Sequence, residues 1–154
     1  MTLVLAVLLA GCGFHMPGEL TAPAEMQRTY IDSLERNSLF HRELRRQLQS
    51  AGVELVDTPA EATAVMVISA DETDQRVLSV SARNVPTEYE VYYLVEYSVL
   101  SGEKRLLDPQ ILTRTRSYTY DETLVLGKAR EEQLLREAIV KDLVRIVVKQ
   151  LATL

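Results

Sequence analysis

The sequence predicts an α+β two-layer sandwich, with a mostly antiparallel sheet of four to five strands and two helices packed on one face. Two observations lead to this fold class. Residues 88–100 alternate apolar and polar side chains with a period of two, which is typical of a half-buried strand. Residues 39–51 and 128–151 instead repeat apolar side chains at helical spacing. The predicted order is strand, helix, four-stranded meander and helix.

The first half of the chain contains a short β-rich segment at 28–32 and then the first helix. Asn37 or Ser38 is expected to cap this helix, and Gly52 stands where a glycine often ends one. An extended piece at 53–56 follows. The apolar face of the helix consists of Leu39, Phe40, Leu44, Leu48 and Ala51.

The second half is predicted to be a meander closed by the longer helix. Strands are expected at 64–69 and 76–81, separated by a polar turn at 71–74. The long strand at 88–100 comes next, and the chain returns through 111–120. One face of the long strand should lie under the helices. This face consists of Tyr89, Val91, Tyr93, Val95, Tyr97 and Val99.

The opposite face of the long strand carries Glu90 and Glu96. Arg114 and Arg116 of the return strand can neutralise these carboxylates across the sheet. Structural ion pairing is therefore a simpler interpretation of the carboxylates than acid–base catalysis. A periplasmic hydrolase that uses them is retained as an alternative function.

The segment Leu9-Ala10-Gly11-Cys12 has the pattern of a bacterial lipobox. A short apolar run at 3–9 leads into small residues and the only cysteine of the chain. This order fits a secretory signal that ends at a small-residue cleavage site. The run is shorter than the roughly 20 apolar residues that span a bilayer. The alternative interpretation is a buried thiol near an apolar terminus.

The lipobox divides the chain into three regions. Residues 1–11 are predicted to be a signal peptide, 12–26 a lipidated N-terminus and tether, and 27–154 a single domain. Cys12 is expected to carry a covalent diacylglycerol and an N-acyl chain. Gly13, rather than an aspartate, follows the lipidated residue, and this favours the outer membrane.

Composition and motifs exclude several function classes. The net charge of −5 argues against nucleic-acid binding. His15 and His41 are expected to be solvated, because neither belongs to a metal-ligand spacing. The sequence has no nucleophile elbow, phosphate-binding loop or dinucleotide fingerprint, so neither an enzyme nor a cofactor other than the lipid is expected.

Two basic residues are candidates for binding an anion. Lys128 falls in the first turn of the second helix, where a cation is mildly unfavourable, and Arg83 lies at a turn between strands. Alone, each is typical of a solvated charge, but together they can engage phosphate. Tyrosines on the sheet face away from the helices would suit an interface. The tyrosines that can lie there are Tyr92, Tyr118 and Tyr120.

Short motifs that match a known family are spread in order over nearly the whole chain. They are Leu9-Ala10-Gly11-Cys12-Gly13-Phe14-His15, Gly52-Val53-Glu54-Leu55-Val56, Glu88-Tyr89-Glu90-Val91, Arg116-Ser117-Tyr118-Thr119-Tyr120-Asp121, Val125-Leu126-Gly127-Lys128 and Glu131-Glu132. Jointly they resemble the LPS-assembly lipoprotein LptE (RlpB) family. The family turn before the long strand often carries glycine, whereas this chain has Asn84-Val85-Pro86-Thr87.

The resemblance implies an outer-membrane lipoprotein that faces the periplasm and plugs the LptD β-barrel in a one-to-one complex. Such a protein assists barrel assembly and binds lipopolysaccharide during its delivery to the outer leaflet. The resemblance implies that Arg83 and Lys128 are the residues that contact lipopolysaccharide. A polar sheet face agrees with this role, because barrel interiors are polar. The alternative is a periplasm-facing lipid carrier, unrelated to a barrel, with an apolar cavity between its sheet and helices.

Overall fold

The computed structural model describes residues 22–120 and 125–154, with only the backbone given for 125–128. Five strands and two helices form the fold. They are β1 (Arg28–Ser33), α1 (Leu39–Ser50), β2 (Glu54–Leu55), β3 (Ala64–Val80), β4 (Pro86–Ser101), β5 (Lys104–Thr119) and α2 (Val125–Leu151). Short 3-10 turns at Ala24–Met26 and Pro59–Glu61 complete the described elements.

The sheet has the strand order β2-β1-β3-β4-β5. The three long strands, β3, β4 and β5, pair antiparallel with their neighbours, whereas β1 runs parallel to both β2 and β3. The predicted α+β class is confirmed, and the sheet is mostly antiparallel with a parallel edge. A parallel pair requires a crossover, and α1 supplies the crossover between β1 and β2.

The predicted turn at 71–74 is wrong, because β3 continues as a single strand from Ala64 to Val80. Its pairing with β4 shifts register between Ile68 and Ala70, so Ser69 forms a bulge there and no chain reversal occurs. Two further shifts lie near the end of the strand, on either side of Ser79. The polar residues after the bulge are tolerated because most of them are exposed. The predicted four-stranded meander is therefore a meander of three long strands.

The alternating face of β4 forms the centre of the core, as predicted. The side chains of Val91, Tyr93, Val95, Tyr97 and Val99 are all at most 2% exposed. Both helices cover this face. Their buried residues are Phe40, His41, Leu44 and Leu48 on α1 and Ile139, Val140, Leu143, Val144, Val147, Val148 and Leu151 on α2.

A polar contact ties the sheet to the end of α2. The hydroxyl of Tyr97 donates to Oε1 of Gln150 at 2.6 Å. Burial raises the pKa of Tyr97 to about 12, so the phenol stays protonated and keeps donating at any physiological pH. The buried hydroxyl is thereby satisfied.

The N-terminus of α1 is anchored to the sheet by a hydroxyl and carboxylate network. Ser38 caps the helix, since its Oγ accepts from the backbone N–H of His41 at 2.9 Å. The same hydroxyl donates to Asp71 on β3, and Tyr93 on β4 donates to the other oxygen of that carboxylate at 2.6 Å. Burial and the Asp71 carboxylate raise the pKa of Tyr93 well above its usual range.

His41 is buried, which corrects the prediction that it is solvated. Only 4% of it is exposed, and its Nδ1 lies 2.6 Å from the carbonyl oxygen of Arg36. Because a carbonyl can only accept, Nδ1 carries the hydrogen in this contact. Burial lowers the pKa of His41, and the charge of Arg45 lowers it further, against the opposing effect of the Arg36 carbonyl.

We expect the protein to lose stability as the pH falls below 6.5, because His41 must then protonate at a buried position. The unfolded chain binds the proton near the ordinary pKa of 6.5, and the folded chain binds it only at lower pH. Unfolding therefore takes up a proton in this window, and the free energy of unfolding falls with pH. Urea denaturation at several pH values, compared between the wild type and His41→Gln, measures this contribution. An unchanged pH slope in His41→Gln would contradict it.

The predicted pairing of Arg114 or Arg116 with the carboxylates of β4 is wrong. The register places Arg114 opposite Tyr93 and Arg116 opposite Val91, on the helix side of the sheet. Arg116 instead pairs with Asp142 of α2 at 2.7 Å.

Candidate functional site

The candidate site lies at the end of the sheet where the β3–β4 turn meets the last residues of β5. Arg83 is exposed at the tip of this turn. Two backbone bonds close the turn, from Ser81 N to Val85 O at 2.8 Å and from Asn84 N to Ser81 O at 2.9 Å. The arginine therefore projects from a tightly bonded hairpin, as the sequence predicted.

Asn84 supplies the left-handed backbone conformation that this turn requires. Its φ is +60°, in the region that favours glycine and that asparagine tolerates better than most residues. A turn without glycine therefore still closes tightly beside Arg83.

A cluster of three tyrosines lies on the helix side of the sheet at this end. Tyr89 stacks on Tyr118 with ring centroids 5.8 Å apart. Tyr89 and Tyr120 form a T-shaped pair with ring centroids 5.3 Å apart. The hydroxyl of Tyr118 donates to Oε1 of Gln75 at 2.9 Å. Burial, with Glu132 of α2 nearby, raises the pKa of Tyr118.

This placement corrects the prediction for Tyr118 and Tyr120, which were assigned to the sheet face away from the helices. Tyr118 pairs with Tyr89 across the ladder, and directly opposed residues share a face. Tyr92 does lie on the outer face, where it pairs with Thr115 and is only half-buried.

Exposed apolar side chains accompany Arg83 at this end of the sheet. Val77, Leu78 and Val80, the last apolar residues of β3, are 47%, 49% and 52% exposed. Sequence reasoning missed them as site residues. The signal was present in the run Val77-Leu78-Ser79-Val80, which places apolar side chains on both faces of a strand end, where at least one must meet solvent.

Lys128 belongs to the same region of the fold through its backbone. It lies in the first turn of α2, and α2 follows the end of β5 after residues 120–124. Its side chain lies outside the described residues, as does all of Cys12. The structure therefore shows the surroundings of Arg83. The predicted lipopolysaccharide contact of Lys128 and the predicted lipidation of Cys12 stay predictions.

The described residues hold no constellation typical of catalysis. They contain no group of three or more metal-ligating side chains. Nε of Arg76 donates to Glu90 at 2.7 Å, which agrees with structural ion pairing of this strand carboxylate. Among the helices described, none is long and apolar enough to cross a bilayer.

An apolar cavity lies between the ends of the two helices. Its walls include Met26, Leu48 and Val148, and its volume is about 10 Å³. This is the space open to the centre of a water molecule, and one buried water needs roughly 10–15 Å³ of it. The cavity is therefore too small for an acyl chain.

Comparison with known proteins places the chain in a family. The family model described as LptE: Lipopolysaccharide-assembly matches residues 26–151. The LPS-assembly lipoprotein LptE of Pectobacterium atrosepticum is 29% identical, over 100% of this chain and 84% of its own length. The protein of the same name from Yersinia enterocolitica is 28% identical, over 98% of this chain and 73% of its own length.

Solved structures share the fold. The solution structure of lipoprotein B from Nitrosomonas europaea superposes with a TM-score of 0.76 at 24% identity, covering 91% of this chain and 90% of that one. The crystal structure of rare lipoprotein B from Shewanella oneidensis superposes with a TM-score of 0.69 at 24% identity, covering 82% of this chain and 94% of that one. Because the family model extends over far more than half of the sequence, the chain belongs to the LptE lipopolysaccharide-assembly family.

Proposed function

We propose that this protein is a non-enzymatic outer-membrane lipoprotein that plugs the LptD β-barrel, assists its assembly and binds lipopolysaccharide on its way to the outer leaflet. The observation that carries the proposal is the match of residues 26–151 to the lipopolysaccharide-assembly family. Relatives named LPS-assembly lipoprotein LptE align with nearly the whole chain. The fold and its surfaces add physical support.

The face of the sheet away from the helices supports the proposal that the protein sits inside a barrel. Along β5 this face presents an exposed row of hydroxyl side chains, consisting of Thr113, Thr115, Ser117 and Thr119. Short hydroxyl side chains can both donate and accept hydrogen bonds. Such a surface suits the polar lumen of an outer-membrane barrel.

The end of the sheet around Arg83 supports binding of an amphiphile such as lipopolysaccharide. The guanidinium of Arg83 can bind a phosphate through charge-assisted hydrogen bonds. Val77, Leu78 and Val80 add exposed apolar surface on the strand that leads into the turn. Lys128, in the first turn of α2, adds a second candidate cation.

Lipidation of Cys12 would anchor the protein to the membrane. A diacylglycerol with an N-acyl chain provides more than one hydrocarbon chain, and stable anchoring requires at least two membrane signals. The plug would then be held at the inner surface of the outer membrane, next to the barrel.

A pull-down tests the plug. The lipidated protein, tagged after Leu154, is expressed in its own host and extracted in mild detergent, and an unrelated lipoprotein with the same tag serves as control. We expect a large β-barrel to copurify in near-stoichiometric amount only with this chain. A mature protein that stays monomeric in outer-membrane extracts would overturn the plug, and a copurifying lipid without a barrel would favour the carrier.

Lipopolysaccharide binding should weaken in Lys128→Glu and in Arg83→Glu. Each change replaces a cation with an anion, and a hydrogen bond to a charged group is worth about 1.5–3 kcal/mol. We therefore expect Kd to rise roughly tenfold or more, measured by titration with purified lipopolysaccharide. Lys104→Glu is the matched control, because Lys104 is the exposed first residue of β5, at the other end of the sheet. If all three variants bind lipopolysaccharide equally well, Arg83 and Lys128 are surface charges that do not contact it.

A further inference from the structure

The strand β3 has a free edge over more than half of its length. On one side β1 pairs only as far as Ser33 opposite Ile68. From Ala70 to Val80, β3 is paired with β4 on its other side, and no strand of the described chain lies against the β1 side. An unpaired edge is a template for an added strand.

The backbone groups available at this edge can be identified. The N–H of Gln75 donates to Oδ1 of Asp74 at 2.8 Å, so it points away from the β4 ladder. Because backbone direction alternates along an antiparallel strand, the N–H and C=O groups of Asp71 and Thr73 point to the same free side. Asp71 and Thr73 therefore offer N–H and C=O groups to an incoming chain, and Gln75, whose N–H is already bonded to Asp74, offers its C=O.

An acidic groove opens where β1 stops and this edge begins. It has a volume of about 560 Å³ and runs between β3 and the loop that leads into α1. Its walls include the carboxylates of Glu35, Asp71 and Glu72, and among the described residues neither Lys nor Arg lines it. The nearest cation given by a contact is Arg136 of α2, which donates to Oγ1 of Thr73 in the wall. The charge of the groove is complementary to a cation.

One hydroxyl in the wall of the groove is buried without a partner. Ser33, the last residue of β1, is 6% exposed, and its Oγ has no hydrogen bond to any described residue. A buried polar group left unpaired costs about 1–3 kcal/mol. An incoming group that bonds this hydroxyl would recover part of that cost.

We propose that the free edge of β3 and the groove beside it bind an extended polypeptide segment with a basic side chain. The segment continues the line of β1 and pairs with the backbone of residues 71–75. Its lysine or arginine enters the groove, where Glu35 and Glu72 neutralise the cation and Ser33 can accept a hydrogen bond. Main-chain pairing supplies affinity, and the groove selects the side chain.

The charges of the edge argue against a second copy of this chain as the occupant. Edge-to-edge pairing of two β3 strands would bring the acidic run of Asp71, Glu72 and Asp74 against its own copy. Like charges that oppose each other across a sheet are destabilising. A basic partner segment makes the opposite, favourable contact.

The test uses the complete chain and a fluorescent peptide, acetyl-Thr-Val-Lys-Val-Thr-Val-amide, with a second peptide in which Glu replaces Lys. We expect the Lys peptide to bind and to slow hydrogen exchange at the amides of Asp71 and Thr73. The double variant Glu35→Gln, Glu72→Gln should weaken binding tenfold or more. Glu103→Gln, a change at the exposed β4–β5 turn, should bind the peptide like the wild type.

Several results would overturn the inference. They are equal binding of both peptides, protection confined to residues outside β3, binding of lysine amide alone with the same affinity, or a dimer that protects this edge in the absence of peptide. The readout involves neither lipopolysaccharide nor the barrel. Failure here would therefore leave the proposed function standing, and failure of the pull-down would leave this edge site intact.

Discussion

Phe40→Ala is expected to destabilise the domain by about 3–5 kcal/mol, the range measured for truncating a buried aromatic side chain. Phe40 lies near the start of α1 and has no exposed surface. Its ring belongs to the core shared by the sheet and both helices. Removing it loses the transfer free energy of the ring and leaves a cavity in that core.

Leu34→Ala is the matched control for this truncation. Leu34 lies in the loop before α1 and is 94% exposed, so its loss should change stability by no more than about 0.5 kcal/mol. Urea denaturation followed by circular dichroism measures both variants. A midpoint in Phe40→Ala as high as in Leu34→Ala would contradict the placement of the ring in the core.

Cys12→Ala is expected to abolish lipidation. Diacylglycerol is joined to the side chain through a thioether bond to the cysteine sulfur, and alanine offers no nucleophile to replace it. Intact-mass spectrometry measures the loss of the acyl chains.

His15→Ala is the control for the lipobox, because it changes a nearby residue and leaves Leu9–Cys12 intact. This variant should keep its acyl chains and its place in the membrane fraction. A mass spectrum of Cys12→Ala that still shows acyl chains would refute the lipobox.

The helices and the core face of β4 could be predicted because the sequence encodes burial locally. Alternate residues of β4 from Val91 to Val99 are apolar and are buried in the structure. The start of α1 was equally readable, since Ser38 has the side chain that caps a helix and does so. In these elements local pattern and tertiary environment agree.

The course of β3 could not be read from local pattern. Asp71 and Asp74 look like a turn, because acidic residues in series usually break a strand. Pairing with β4 keeps the backbone extended through them. The carboxylate of Asp71 is stabilised by Tyr93, which is distant in sequence and adjacent only in the fold.

Register decided the partners of the charged side chains. A shift of one residue moves every side chain of a strand to the opposite face. The structure places Arg116 opposite Val91, where it reaches Asp142 of α2. Glu90 lies on the other face and pairs with Arg76 instead.

The candidate site divides in the same way. Arg83 and Lys128 were singled out by their positions at a turn and at a helix start, and the family motifs added the expected lipopolysaccharide contacts. The position of Arg83 at an exposed turn agrees with the sequence prediction. The tyrosine cluster and the unpaired hydroxyl of Ser33 emerged only from the fold. Both depend on contacts between segments far apart in the chain.

The sequence by itself determined the two-layer α+β class, the core face of β4, the two candidates for the cap of α1 and the family to which the chain is similar. These features follow from short-range patterns of apolar, polar and capping residues. Only the tertiary structure decided the length of β3, the free edge beyond β1, and the burial of His41. Each of these depends on which distant segment covers a given surface, and that is set by long-range packing and not by local propensity.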